Sequence, residues 1–325
     1  MKNTVALPKL ANKIIFAGVC LLAVGFAVLF ITQMLAATKI KLISNLAYVD
    51  HPSTAQKLDL YLPEDGHIST KRPLVIYIHG GAWRAGDKQD TPAPLLAYLG
   101  YVVASINYRL TGEATFPAQL EDCLAAIEWL NKHSEEYGID RNRIGIWGES
   151  AGGHLAVLTA LMINMRTDRT KAADIESPKD LSKHKRIVAV CDWCGPTDFL
   201  TILSQYKSDD PLHEWSATGP IAKLLGGPPH EVPEVARAAS PISWVRTGAP
   251  AFLIVHGDHD VLVPIEQSKE LAEKLKQAHI PVQFHVAKGI GHHVISKETL
   301  NEAVEFFEKH LSPGSSILSK MLTAQ

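Results

Sequence analysis

The sequence predicts an α/β fold: a mainly parallel central sheet with helices on both faces. Three observations predict it. Short, continuous apolar runs recur at residues 73–78, 101–106, 143–147, 186–190 and 251–255, as expected of strands covered on both sides. Segments with a 3.6-residue apolar period alternate with them, at residues 117–133, 265–278 and 297–310. The chain has 325 residues, 46% of them hydrophobic, which suffices for one large core and leaves little room for a second full domain.

Taken in order, the chain opens on an apolar segment. Residues 14–31 carry no charged or hydrogen-bonding polar side chain apart from the Cys20 thiol, and no charge appears between Lys13 and Lys39. That length crosses a bilayer core of about 30 Å, whereas a secretory signal has a shorter apolar region of about 7–15 residues. Residues 1–37 are therefore read as a cytoplasmic stub plus an N-terminal transmembrane signal-anchor. A cleaved signal peptide ending near Leu35-Ala36-Ala37 is the alternative. Lys2, Lys9 and Lys13 precede the segment, and Lys39 and Lys41 follow it. This slight bias places the N-terminus in the cytoplasm and the rest outside. The expected location is membrane-anchored with an extracytoplasmic domain, or secreted or periplasmic after cleavage.

Residues 38–313 form the expected globular domain. Residues 45–49 and 57–62 read as an edge hairpin, the second strand alternating Leu58, Leu60 and Leu62 with Asp59 and Tyr61. The buried runs at 73–78 and 101–106 follow. A helix at 117–133 places Leu120, Leu124, Ile127 and Leu130 on one face. The strand at 143–147 leads into a helical run at 154–161. Residues 166–185 are charged and aperiodic and read as an exposed excursion. After the strand at 186–190, residues 204–240 contain Trp215, Gly226-Gly227 and Pro228-Pro229. A segment of that length is functional or disordered, and its place after a central strand makes it a small cap. A strand at 251–255, a helix at 265–278, a last strand at 282–286 and a closing helix at 297–310 complete the domain. Leu300, Val304 and Phe307 face inward on that helix. Residues 314–325 form a tail.

The chemistry centres on Gly148-Glu149-Ser150-Ala151-Gly152-Gly153. Strand, sharp turn and helix are the context of a G-x-S-x-G nucleophile elbow. A serine hydroxyl is a poor nucleophile near neutral pH and needs a base, which in turn needs an orienting acid. In open α/β sheets such groups gather past the carboxyl ends of strands. Past residue 255 comes His256-Gly257-Asp258-His259-Asp260, and past residue 286 comes Gly291-His292-His293. The expected catalytic set is Ser150, Asp260 and His292. His293 is the rival base; Asp258 and Asp198 are rival acids. His154, four residues beyond Ser150 on the same helix, is read as structural.

These residues resemble a known family. His79-Gly80-Gly81-Ala82-Trp83, Gly148 to Gly153, His256-Gly257 with Asp260 and Val263-Pro264, and Gly291-His292 look like the carboxylesterase branch of the hormone-sensitive-lipase-like α/β-hydrolases, and most like its feruloyl-esterase-like members. The resemblance runs over residues 45–310. It implies an α/β-hydrolase fold and cleavage of small-molecule carboxylic esters through an acyl-enzyme. It implies an oxyanion hole made by the N–H groups of Gly81, Ala82 and Ala151. It also implies a loop-holding role for His79. Independently of the resemblance, Trp83 and Trp193 follow strand ends, a position from which they can face an aromatic acid group. Small or aromatic acyl esters are the expected substrates.

Other classes fit less well. The formal net charge is −2 with 20% charged residues and no basic stripe, so nucleic acid is not an expected partner. No cofactor is expected. His256, Asp258, His259 and Asp260 are dense in ligand types but lack the spacing of a hydrolytic zinc site, and no metal is expected. Cys191 and Cys194 match C-x-x-C but have no helix start or second ligand pair beside them, and read as buried thiols. An amidase of aryl-formamidase type is the alternative enzyme. A non-catalytic scaffold on the same fold is the alternative of another class.

Overall fold

The structure is a computed structural model that describes residues 39–50, 52–53, 55–64, 71–167, 187–206 and 219–312. The N-terminal apolar segment, all but the start of the 166–185 excursion, residues 207–218 of the expected cap and the 314–325 tail lie outside the described residues. Among the described residues, no helix is long and apolar enough to cross a membrane.

Eight strands form one sheet: β1 (Lys39–Ala47), β2 (Lys57–Glu64), β3 (Arg72–Ile78), β4 (Val102–Ile106), β5 (Ile139–Glu149), β6 (Ile187–Trp193), β7 (Ala251–Gly257) and β8 (Val282–Ala287). Their spatial order is β1-β2-β4-β3-β5-β6-β7-β8. β1 and β2 pair antiparallel as the edge hairpin, β2 meets β4 antiparallel, and the remaining pairs are parallel. The first strand starts at Lys39, earlier than residue 45, and ends at Ala47, before Val49.

The helices are α1 (Pro94–Tyr98), α2 (Ala118–Lys132), α3 (Ala151–Thr167), α4 (Ile202–Gln205), α5 (Pro220–Leu225), α6 (Pro233–Ala239), α7 (Glu266–Gln277) and α8 (Lys297–Leu311), with a 3-10 turn at Pro241–Trp244. α3 runs to Thr167, so Arg166 continues the helix instead of opening the excursion. α2, α3 and α7 pack on one face of the sheet around Ile76, Ile78, Ile146 and Ile254. α1 and α8 cover the other face around Val75, Tyr77, Trp147 and Leu253. Alternate residues of β3 thus serve opposite cores, as the two-residue strand period requires. On α8 the deepest apolar residues are Ala303, Phe306, Phe307 and Leu311, while Leu300 and Val304 are half-buried beside them. Each fully buried Phe contributes roughly 1.5–3 kcal/mol of transfer free energy. α8 begins with a capping box: the Ser296 side chain accepts from Thr299 N, and Thr299 Oγ1 accepts from Ser296 N.

The parallel register sets the site. Ile78 pairs with Gly148, Glu149 with Trp193, Trp193 with Val255, and Gly257 with Ala287. The loops after β3, β5, β6, β7 and β8 therefore open along one edge of the sheet, at the carboxyl ends of the strands.

Candidate active site

Ser150 occupies a one-residue turn between β5 and α3 with φ of +56°, a region that non-glycine residues enter only when the surroundings impose it. The turn is this tight because two glycines let strand and helix touch. A Cβ on Gly148 would lie 2.2 Å from Gly152 O, and one on Gly152 would lie 2.0 Å from Ile78 O. The Ser150 amide donates to Trp193 O at 2.7 Å, which ties the elbow to β6.

The loops after β7 and β8 meet the serine. Ser150 Oγ lies 2.8 Å from His292 Nε2, and His292 Nδ1 lies 2.7 Å from Asp260 Oδ2. Serine can thus donate to imidazole while imidazole donates to carboxylate. Asp260 Oδ1 accepts from Leu262 N and Val263 N at 2.8 and 2.9 Å. Burial pushes this carboxyl upward, but the bonds from His256 and His292, the nearby His292 ring and the backbone donor Val263 outweigh it and hold the group well below the usual carboxylate range. The group is thus ionised at neutral pH. Cys194 sits beside it with φ of +46°, and its thiol donates to the His292 carbonyl at 3.0 Å.

The rivals lie elsewhere. His293 is exposed and faces Glu149 at 3.3 Å. Asp258 pairs with His259 at the surface and accepts from Gly289 N. Asp198 Oδ1 caps Leu200 N. The ligand-type cluster at residues 256–260 is thus split, with His256 and Asp260 inside and Asp258 and His259 outside. The C-x-x-C thiols are buried, and neither forms a disulfide.

The loop after β3 supplies the remaining wall. Gly81, Ala82 and Trp83 have φ of +101°, +54° and +56° in succession. Two non-glycine residues in that region are costly, at about 1–3 kcal/mol each, so the loop is held by its partners. Arg84 N and Ala85 N both donate to Gly81 O, Thr111 N donates to Trp83 O, and the Tyr108 hydroxyl donates to His79 O at 3.0 Å. The His79 ring stacks on Tyr108 with centroids 4.5 Å apart; burial pushes its pKa down. Ala82 borders the same pocket as Ser150 and His292, and Ala151 is the first residue of α3, where backbone N–H groups have no partner within the helix. The pocket itself has a volume of about 80 Å³ and is walled by Trp83, Ile202, Tyr206, Pro220, Ile221 and Leu262. The described part of the 204–240 cap thus contributes Tyr206, Pro220 and Ile221. Trp193 does not reach the pocket. It is fully buried in the opposite core with its ring 4.8 Å from that of Trp147.

A family model described as BD-FAE matches residues 58–275. The chain belongs to the BD-FAE family. Among curated relatives, it is 31% identical over 231 residues to a probable carboxylic ester hydrolase, LipM, of Mycobacterium tuberculosis, covering 69% of this chain and 49% of that protein. Esterase LipC of the same organism is 32% identical over 252 residues, covering 75% of this chain and 58% of LipC. The chain thus spans about half the length of these relatives. Among solved structures, a truncated carbohydrate esterase from gut microbiota aligns with a TM-score of 0.73 at 30% identity, covering 85% of this chain and 98% of that one.

Two buried titratable groups lie under the elbow of this BD-FAE member. His154 bridges three segments: Trp83 Nε1 donates to its Nδ1 at 3.2 Å, and its Nε2 donates to Ala239 O of α6 at 2.8 Å. Burial pushes its pKa down to about 4, against the opposing pull of the Ala239 carbonyl. Among the described residues, Asp192 Oδ1 accepts from Gly195 N, and its Oδ2 has no partner. Burial pushes its pKa up to about 7, against that single bond. The two have opposite linkage signs. As pH falls from 6.5 to 4, the unfolded histidine takes a proton before the folded one, so stability is lost. As pH falls from 7 to 3.8, the folded aspartate takes a proton before the unfolded one, so stability is gained. Each contribution is on the order of a few kcal/mol, and in the natural protein they oppose each other. Urea unfolding of His154→Gln between pH 7 and 4 is expected to show stability rising relative to the natural protein as pH falls. Asp192→Asn is expected to show the reverse. Parallel curves for all three proteins would contradict these protonation states.

Proposed function

We propose that the chain is a serine esterase that cleaves short-acyl carboxylic esters through an acyl-enzyme. The observation that carries the reading is the unbroken chain of contacts from Ser150 through His292 to Asp260 at 2.8 and 2.7 Å. In this reading, Ser150 Oγ gives its proton to His292 Nε2 and attacks the ester carbonyl carbon. Asp260 holds the imidazole tautomer and stabilises the imidazolium. The carbonyl oxygen becomes an oxyanion, which accepts from the N–H groups of Gly81, Ala82 and Ala151. One such donor is worth about 3 kcal/mol of barrier. Collapse breaks the bond to the alcohol, which leaves with the proton from His292. A water then gives a proton to His292 and attacks the acyl carbon; collapse breaks the bond from the acyl carbon to Ser150 Oγ, which takes the proton back from His292 as the acid leaves.

The family match and the named esterase relatives support ester hydrolysis. The 80 Å³ pocket favours the small-acyl half of the sequence expectation over the aromatic half, since a benzene ring fills a cavity of about 150 Å³. Labelling with a fluorophosphonate probe tests the class. The natural protein is expected to be labelled at Ser150 and Ser150→Ala to stay unlabelled. No labelling of the natural protein would leave a non-catalytic scaffold as the reading.

Residues 38–313 constitute the catalytic unit in this proposal, with 204–240 as its cap, and residues 1–37 tether it outside the cytoplasm. The uncharged run at 14–31 and the lysine bias support the tether. Protease added to intact cells is expected to digest the domain. A domain digested only after lysis would reject this topology.

A further inference from the structure

His256 is the last but one residue of β7, fully buried, and outside the chain of contacts that carries the proposed reaction. Its surroundings fix its protons. Nε2 lies 3.1 Å from Asp260 Oδ2 and 3.0 Å from Val263 O, and both are acceptors, so the proton is on Nε2. Nδ1 lies 2.7 Å from Ser268 Oγ of α7, and that hydroxyl donates to it. Asp260 Oδ2 therefore receives the His292 N–H and lies 3.1 Å from His256 Nε2, whose own hydrogen bond goes to Val263 O, while Oδ1 receives two backbone N–H groups. The carboxylate thus faces three hydrogen-bond donors and the polar Nε2–H edge of the His256 ring.

We propose that His256 is a positioning residue for the triad: it orients Asp260 Oδ2 toward His292 and shares the carboxylate charge, and so limits how strongly the base holds a proton. The proposal rests on the triad reading above. A hydrogen bond to a carboxylate lowers its attraction for a neighbouring cation. Without His256, the full charge on Oδ2 faces His292, the imidazolium is favoured, and the base stays protonated to higher pH. The other titratable groups packed around the pair are accounted for. The Cys194 thiol after β6 donates to the His292 carbonyl. Glu149 at the end of β5 faces His293. Asp258 and His259 pair with each other, as do Glu266 and Lys269 on α7. His256 is the one among them that shares Oδ2 with the base.

The test compares His256→Leu, His256→Gln and Ser268→Ala in the full chain, by kcat, KM and the pH dependence of kcat/KM for p-nitrophenyl acetate. His256→Leu removes the donor. It is expected to lower kcat about tenfold, leave KM within about twofold, and move the acid limb of kcat/KM up by about half to one pH unit. His256→Gln keeps an N–H near Nε2 and is expected to restore both. Ser268→Ala frees the tautomer and is expected to move the limb in the same direction by less. An unmoved or lowered limb in a folded His256→Leu overturns the proposal. If His256→Leu does not fold, an unmoved limb in Ser268→Ala overturns it. Failure of the triad reading itself is separate: it appears as activity retained by Ser150→Ala or His292→Ala, whatever the limb does.

Discussion

Replacing Ser150 or His292 by alanine is expected to lower kcat by about 10⁴-fold or more, and replacing both is expected to cost little beyond either one. The reason lies in the geometry. Ser150 Oγ has one base within reach, 2.8 Å away, so a hydroxyl without His292 has nowhere to send its proton. An imidazole without Ser150 has no nucleophile to activate. Each single loss therefore disables the same step, and the effects do not add. Asp260→Ala is expected to cost less than either, because the acid orients and stabilises without touching the ester. His293→Ala is the control. Its side chain is 85% exposed and is directed at Glu149, so activity should stay within about twofold. The measurement is kcat on p-nitrophenyl acetate with burst kinetics to count active sites. Loss in His293→Ala with retention in His292→Ala would move the base to the neighbouring residue.

The tight turn at Ser150 and the convergence of Ser150, Asp260 and His292 were legible because each residue sits in a local pattern at a strand end. Glycine at 148 and 152 is dictated by backbone atoms within 2.2 Å of where a Cβ would stand, and such demands leave a mark in sequence. The resembled family's spacing before Val263-Pro264 favours Asp260 over Asp258, and in the structure it is Asp260 whose Oδ1 accepts from the backbone of 262 and 263. Other features depend on which way a side chain leaves its strand. Trp193 was expected near the pocket because it follows the apolar run of β6. The two-residue period instead puts Asp192 on the α3 side and Trp193 against Trp147. α1 was not foreseen, since five residues starting at Pro94 are too few to show a period. The bridge from Trp83 through His154 to α6, and the bond from His256 to Asp260, join residues far apart or on a turn of unknown path.

The rate of ester cleavage is expected to fall steeply with acyl length, with kcat/KM for p-nitrophenyl acetate and butyrate on the order of 10²–10³-fold above octanoate, and palmitate lower still. The pocket beside Ser150 and His292 has a volume of about 80 Å³, roughly half that of a cavity that takes up benzene, at about 150 Å³. A short acyl chain fits against Trp83, Ile202 and Ile221; each further methylene must displace packed side chains or remain in water. In an apolar site, one methylene is worth about 1–3 kcal/mol, so a few unfavourable ones suffice for the expected ratio. Methyl ferulate should be cleaved more slowly than methyl butyrate for the same reason. Ile221 is the residue to change, because it is buried at the pocket wall on α5 and belongs to neither the triad nor the oxyanion loop. Ile221→Ala is expected to raise octanoate relative to acetate by about tenfold, the equivalent of one to two recovered methylenes. If kcat/KM in the natural protein instead peaks at palmitate, or jumps at a lipid–water interface, the wall formed by α5 opens on its substrate and the enzyme acts on lipid.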